Sequence, residues 1–538
     1  MISNQTLLKI RPIVGPPGTG KTHIKIKELY KEYLHKYGSE RGIVLTHTNV
    51  AAKELKDTIT SIKEVKELKK EEEFFEDRIC TIHSYTNNNS EIPRNLKVFD
   101  KSAYEELCKY YSLFGKANNV YVRKNPMEKH PFFKFKSSAY GRGLDFKKCW
   151  MKSENPSRAY DPYDLKMLLA MQEKYNKFKE KKYKDFEDML EYFNNSKQDL
   201  VIDFLIVDEA QDCSVPQMLA IERMAKHAKV VVMVGDPNQT IFQFAGANPD
   251  FFEKLFAKVK GDDELKKGLR CSKAINTFAK KIIKPIWDFY RYERVWSPTD
   301  EEGSVQFLTN LKGSPALKNL INKMRNSNES FLFTYRSAKS REDWILPFLK
   351  REGFKFKHVA NKNNHVGDEE LNVYYTWPEF LKGVPKSLGE IKQYHERLHK
   401  KYKCNKNWPR EGSIINKEYT FQDFVRKGYL SEELKKENSF YKLHKKYKKD
   451  SEQDDYQTVK IKYINRIIQK DNLNQKSIIE YGNFHDVKGL TRDNVIVDLS
   501  LTRDEDKFDQ RRLGFVGLTR GRHDAWILKT QTGKELII

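Results

Sequence analysis

The apolar positions of this 538-residue chain fall in short runs bounded by turn residues. Leu7, Leu8, Ile10, Ile13 and Val14 read as a buried strand, and a glycine-rich loop follows it. From Ile24 to Tyr37 the pattern predicts a helix, and Gly38 supplies the stop. A second buried run, Phe204-Leu205-Ile206-Val207, predicts a strand whose end carries Asp208 and Glu209. In an open α/β sheet that carboxyl end is the side on which ligands bind. No apolar run reaches the roughly 20 residues that span a bilayer, and no N-terminal stretch resembles a signal peptide, so no membrane partner is expected.

The loop after the first strand adds chemistry. Gly15-Pro16-Pro17-Gly18-Thr19-Gly20-Lys21-Thr22 matches the phosphate-loop pattern G-x-x-x-x-G-K-T in the strand, loop and helix setting that the pattern requires. Glycines let backbone N–H groups close on phosphates at a helix N-terminus, Lys21 reaches the terminal phosphates, and the Thr22 hydroxyl ligates Mg²⁺. Asp208 is assigned to the same Mg²⁺ shell. Glu209 is then the group that orients or deprotonates the attacking water, because phosphoryl transfer rests mainly on positioning and electrostatic stabilisation.

Lys and Arg number 99 against 75 Asp and Glu, a net charge of +24 that favours a polyanionic partner. Phe132, Phe133, Phe135, Tyr140 and Phe146 alternate with Lys134, Lys136, Arg142, Lys147 and Lys148. Phe440, Tyr441 and Tyr447 similarly lie among Lys442, Lys445, Lys446, Lys448 and Lys449. Each segment reads either as a DNA-tracking surface, with bases stacked on rings, or as an amphipathic helix with aromatic core positions and a solvated lysine face. The six cysteines form no C-x-x-C pair, which argues for a reduced cytosolic protein without structural zinc or an iron–sulfur cluster.

Further motifs follow in order. Leu45-Thr46-His47-Thr48-Asn49-Val50-Ala51-Ala52-Lys53-Glu54-Leu55 is similar to T-F-T-N-x-A-A-x-E-M, Thr81-Ile82-His83-Ser84 to T-F/I-H-S, and Asp185 to Leu190 to D-F-D-D-L/M-L. Then come Asp208-Glu209-Ala210-Gln211-Asp212 and Gly235 to Ala247, the latter containing Gln239-Thr240-Ile241-Phe242-Gln243-Phe244. Leu269-Arg270-Cys271-Ser272 resembles N-Y-R-S, Tyr335 to Arg341 resembles R-T/S-N-A-Q-S-R, and His485 to Leu490 resembles H-x-x-K-G-L. Phe515 to Arg522 resembles Y-V-A-L-T-R-A-R. This ordered set resembles the superfamily 1A helicases of the UvrD/Rep/PcrA type.

The resemblance implies an α/β chain of two RecA-like phosphate-loop cores with parallel sheets, each carrying a mainly helical insertion. Residues 1–85 and 185–262 would form core 1A, 86–184 insertion 1B, 263–360 and 476–538 core 2A, and 361–475 a short insertion 2B. ATP with Mg²⁺ would be hydrolysed to drive movement on single-stranded DNA, 3′ to 5′, coupled to duplex unwinding or protein displacement, with single-stranded DNA, single/double-strand junctions and replication or repair proteins as partners. Arg270 and Arg520 would stabilise transferred phosphoryl charge, Gln239 would sense the γ-phosphate, and Gln211 would help couple that state to DNA. His47, Asn49, His83, Phe242, Phe244 and His485 fall at DNA-contacting positions, with His47 replacing the usual Phe. Three departures touch the base: Gln5 lies only ten residues before Gly15, Leu269 replaces a stacking Tyr, and Thr491 replaces a Glu near the ribose. They lead us to expect relaxed base discrimination. Two alternatives stay open at this point. One is a superfamily 1B or RNA-acting helicase, since G-P-P-G-T-G-K-T is typical there; the other is a nucleotide-gated single-strand-binding ATPase that does not unwind.

Overall fold

The structure, a computed structural model, describes residues 9–38, 41–67, 75–115, 130–153, 156–256, 259, 261–308, 314–361, 366–398, 402, 418–436, 440–443, 456–470, 472, 474–499 and 507–528. Two compact units divide it: Met1–Glu302 with Thr502–Thr519, and Gly303–Leu501 with Arg520–Ile537.

In the first unit β1 (Ile10–Val14), β2 (Gly42–Thr46), β3 (Ile79–Thr81), β4 (Ile202–Val207) and β5 (Ala228–Gly235) form one sheet in the order β1-β5-β4-β2-β3. All four pairings are parallel. Parallel sheets are covered on both faces, which explains why β4 reads as a near-continuous apolar run and is buried throughout. Leu205 and Val207 join a core with Ile221 and Met224 on one face. Phe204 and Ile206 join Leu29, Tyr30 and Tyr33 on the other.

The predicted first helix is real but starts differently. Lys21–Ile26 forms a wide π-helical turn before α1 (Lys27–Tyr37) continues to Gly38, whose φ of 80° ends it. Leu7 and Leu8 lie outside the described residues. Thr48 caps α2 (Asn49–Thr60) and Thr81 caps α3 (Ile82–Asn88), each hydroxyl accepting from a backbone N–H of the first turn.

Residues 97–184 hold α4 (Pro131–Gly141), α5 (Leu165–Lys179) and the short parallel pair Lys97–Val98 with Tyr183–Lys184. Their core is aromatic: Phe99, Tyr104, Phe114, Phe132, Phe133, Phe135 and Tyr175 pack together. This corrects the DNA-tracking reading of the first aromatic and lysine segment. Phe132 and Phe135 are fully buried, and Lys136 is buried too. Helical periodicity won because α4 turns those rings inward together. Phe440 is likewise buried, while the side chains of Tyr441 and Lys442 and all of residues 444–450 lie outside the described residues.

Lys136 is held by an ion-pair cluster at the start of α6 (Phe186–Asn195). Its ammonium meets Asp185 at 3.0 Å and also Glu187, while Lys179 meets Asp185 at 2.9 Å and Asp188 at 2.7 Å. Tyr175 donates a further hydrogen bond of 2.8 Å to Asp185. Asp185 and Asp188 also cap α6 reciprocally. The unit is completed by α7 (Val215–His227), α8 (Lys273–Tyr290) and α9 (Lys507–Leu518).

The second unit contains β6 (Ser304–Leu308), β7 (Ser330–Tyr335), β8 (Lys357–His358), β9 (Ile478–Asn483), β10 (Arg492–Asp498) and β11 (Gly521–Leu528). They order as β8-β9-β7-β10-β11-β6, all parallel. Helices Asp368–Leu381, Leu388–Arg397 and Tyr456–Gln469 share its core, in which Trp377 is fully buried against Tyr394. Both units therefore have the RecA-like α/β form, each with helical additions. Among the described residues, no helix is long and apolar enough to cross a membrane.

Candidate nucleotide and nucleic-acid site

The phosphate loop sits where β1 ends, and its backbone is fixed by close packing. Gly15 donates its N–H to the Gly235 carbonyl at 3.1 Å. Gly18 and Gly20 adopt φ of 73° and 81°, the left-handed region that favours glycine. A Cβ on Gly18 would lie 2.4 Å from Cβ of Arg270. The Leu269 N–H bonds the Gly18 carbonyl at 2.7 Å, so the segment carrying Arg270 lies directly on the loop.

Lys21 is buried and folds back, donating to the carbonyls of Gly15 at 2.6 Å and Pro16 at 3.4 Å. Burial pulls its ammonium below the usual lysine range, opposed by the charges of Glu209, Asp236 and Asp208. The Thr22 hydroxyl donates to the Asp208 carboxylate at 2.8 Å. Burial, and then the neighbouring Glu209 charge, push Asp208 up to about 7. A threonine hydroxyl and a carboxylate that close together are hard oxygen donors, and their charge balance suits a small divalent cation such as Mg²⁺.

The ends of β4 and β5 form one hydrogen-bonded unit. Glu209 stands in the left-handed region at φ 52°, which is unusual for a non-glycine residue and turns the chain sharply after Asp208. The Gln211 amide donates to the Glu209 carboxylate, while its oxygen accepts the Asp236 N–H at 3.1 Å. The bare Gly235 makes room, because a Cβ there would lie 2.3 Å from the Gln211 oxygen. Asp236, fully buried, accepts from the Gln239 side chain at 2.8 Å and from the Asn238 N–H at 3.0 Å. Burial raises its carboxyl above the ordinary range. A continuous path therefore runs from Glu209 through Gln211 and Asp236 to Gln239.

That path leads into the aromatic turn. Phe242 is half-buried, and its carbonyl accepts from Ala245 at 2.9 Å and Ala247 at 3.2 Å. Phe244 has its backbone in the same turn, and its side chain lies outside the described residues. Gly246 and Gly141 of α4 meet backbone to backbone: a Cβ on Gly141 would lie 1.9 Å from the Ala245 oxygen.

Other sequence-selected residues are spread along the strand ends. His47 is half-buried after β2, and Asn49 is exposed at the start of α2. His83 on α3 meets the exposed Phe186 edge-on at 5.2 Å, and burial lowers its imidazole to about 4. Arg270 donates to the Thr519 carbonyl at 3.3 Å within the first unit. Arg520 and His485 belong to the second unit: Arg520 is buried there, its carbonyl accepting from Arg492 at 2.9 Å, and the His485 N–H bonds the Asn483 side chain at 2.9 Å. Sequence reasoning passed over Asp236, although it stands in the G-D-x-x-Q element, and it gave Gln211 no partner within the site.

Residues 4–260 match the family model of the UvrD/REP helicase N-terminal domain. A protein of Mycoplasma pneumoniae described as a probable DNA helicase II homolog is 23% identical over 452 residues, covering 76% of this chain and 58% of that protein. The chain thus spans less than two thirds of that relative's length. With its motifs in order and its two parallel-sheet units, the chain resembles the UvrD-like superfamily 1 helicases, and its residues 4–260 are similar to the N-terminal domain of that family.

Proposed function

We propose that the chain hydrolyses ATP to move along single-stranded DNA, 3′ to 5′, opening duplexes at single/double-strand junctions or displacing bound protein. The observation that carries this is the hydrogen-bonded path from Glu209 through Gln211 and Asp236 to Gln239, and onward into the turn of Phe242 and Phe244. A hydrolytic carboxylate and a base-stacking segment share one rigid connection, as coupling requires.

In this reading Gly15 to Thr22 hold the phosphates, and Lys21 neutralises their terminal charge. Glu209 orients the attacking water, Gln239 reports on the γ-phosphate, and Arg270, placed against Gly18, meets the charge that develops in transfer. Thr22 and Asp208 are the residues that would hold Mg²⁺, which when bound neutralises phosphate charge. Arg520 is assigned its finger role, and His47, Asn49, His83 and His485 their DNA contacts, on the family resemblance. The division into cores 1A and 2A with insertions 1B and 2B rests on the same ground. Leu269, about half exposed beside the loop, supports loose reading of the base.

Unwinding of duplexes bearing a 3′ or a 5′ single-stranded tail, made in DNA and in RNA, tests the proposal. Activity on the 3′-tailed DNA substrate is expected. Equal unwinding on both polarities, or none on either, would overturn it.

A further inference from the structure

The aromatic turn is gripped from two sides. On one, Gly246 and Gly141 bring the turn and α4 into backbone contact with no room for a side chain. On the other, the Gln243 amide donates to the Asp509 carboxylate on α9 at 2.6 Å and to the turn's own Thr240 carbonyl at 2.9 Å. A turn that cannot yield toward α4 passes any displacement to Gln243.

The helix it reaches is anchored deeply. Asp509 lies 3.5 Å from Arg512, which pairs at 3.2 Å with Glu253, and these arginine and glutamate side chains are 2% and 0% exposed. Tyr292 donates to the same Glu253. At its far end α9 leads into Thr519, whose carbonyl accepts from Arg270. Arg270 in turn packs on Gly18 of the phosphate loop. A helix of this length is stiff, so its two ends move together. We infer that Asp509 is a positioning residue: through its bond to Gln243, the aromatic turn sets the pose of α9 and hence of Arg270 at the phosphate loop.

The inference rests on the proposed DNA-dependent hydrolysis, and one experiment separates the two. Nucleotide hydrolysis by the full chain is measured with and without saturating oligo(dT). Gln243→Glu keeps the side-chain shape but sets two carboxylates against each other. It is expected to lower the stimulation by DNA about tenfold while leaving DNA-free hydrolysis within about twofold. The double variant Gln243→Glu/Asp509→Asn restores a donor and an acceptor in the reverse sense and is expected to recover most of the stimulation. Full stimulation in Gln243→Glu, or a double variant as poor as the single one, would overturn the inference while leaving the functional reading intact. A wild-type chain whose hydrolysis ignores DNA would overturn both.

Discussion

Replacing Lys136 by methionine keeps the stem's packing and removes the charge shared by Asp185 and Glu187. The lysine side chain is 6% exposed and those of the carboxylates 12% and 21%, so water cannot compensate well. Asp185 keeps Lys179 and Tyr175, which limits the loss on that side to one charge-assisted hydrogen bond, about 2 kcal/mol. Glu187 behaves differently. Burial raises its carboxyl to about 7 while Lys136 pulls the other way, so losing the lysine raises it further. Below pH 7 folded Glu187 is protonated in both proteins, and the difference stays near that floor. Above pH 7 the folded wild type releases the proton too and loses no further stability. The variant must keep a proton that its unfolded chain has released, and loses about 1.4 kcal/mol per pH unit. Urea titrations of both proteins at pH 6 and pH 8.5 should therefore differ by about 2 and about 4 kcal/mol respectively. A difference that is flat with pH, or below about 1 kcal/mol throughout, would refute the account of a charge-bearing joint.

Glu209→Gln is expected to bind ATP with little change and to hydrolyse it about a hundredfold to a thousandfold more slowly in a steady-state phosphate-release assay. Lys21→Ala should instead lose nucleotide binding itself, seen by fluorescence titration with a labelled ATP analogue. Gly141→Ala forces a methyl group against the Ala245 carbonyl and should cost about 2 kcal/mol of stability, read by urea titration, with weaker oligonucleotide binding by anisotropy. Hydrolysis of ATP, GTP and CTP at equal concentration should proceed at rates within about tenfold of one another, since the departures at Gln5, Leu269 and Thr491 leave few groups to tell one base from another; a strong preference for ATP would sink the idea of relaxed reading.

The phosphate loop, the strand before Asp208 and the helix stop at Gly38 were legible because each depends on residues close in sequence. The apolar run of β4 announced a strand covered on both faces, and its end fixed the place of Asp208. What stayed hidden depends on partners far apart. Lys136 lies 49 residues from Asp185, and nothing local distinguishes a lysine that pairs in the interior from one that tracks a phosphate. The same ambiguity concealed the fate of Phe132, Phe133 and Phe135, whose interleaving with lysine suits a binding surface and a folded helix equally. The bond between Gln243 and Asp509 spans 266 positions, and the fit of Arg270 onto Gly18 is equally remote. Gln211 was visible as a motif letter, but its role between Glu209 and Asp236 needed the sheet order that sets β4 beside β5.

Among the described residues, two of the joints that fasten the helical addition of the first unit to its core are of unlike kind, and the Tyr140 hydroxyl adds a hydrogen bond of 2.8 Å to the Glu187 carbonyl. The cluster around Asp185 is held by charge, and its grip varies with the proton concentration. The meeting of Gly141 with Gly246 is held by shape alone, and no change of pH or salt alters it. Weakening the first joint therefore leaves the glycine contact, together with the hydrogen bond from Tyr140 to Glu187, to hold the addition in place. For protein engineering this makes the glycine pair a keyed socket: a helical module transplanted from a relative would seat against the aromatic turn only if it brought a residue without a side chain to that spot.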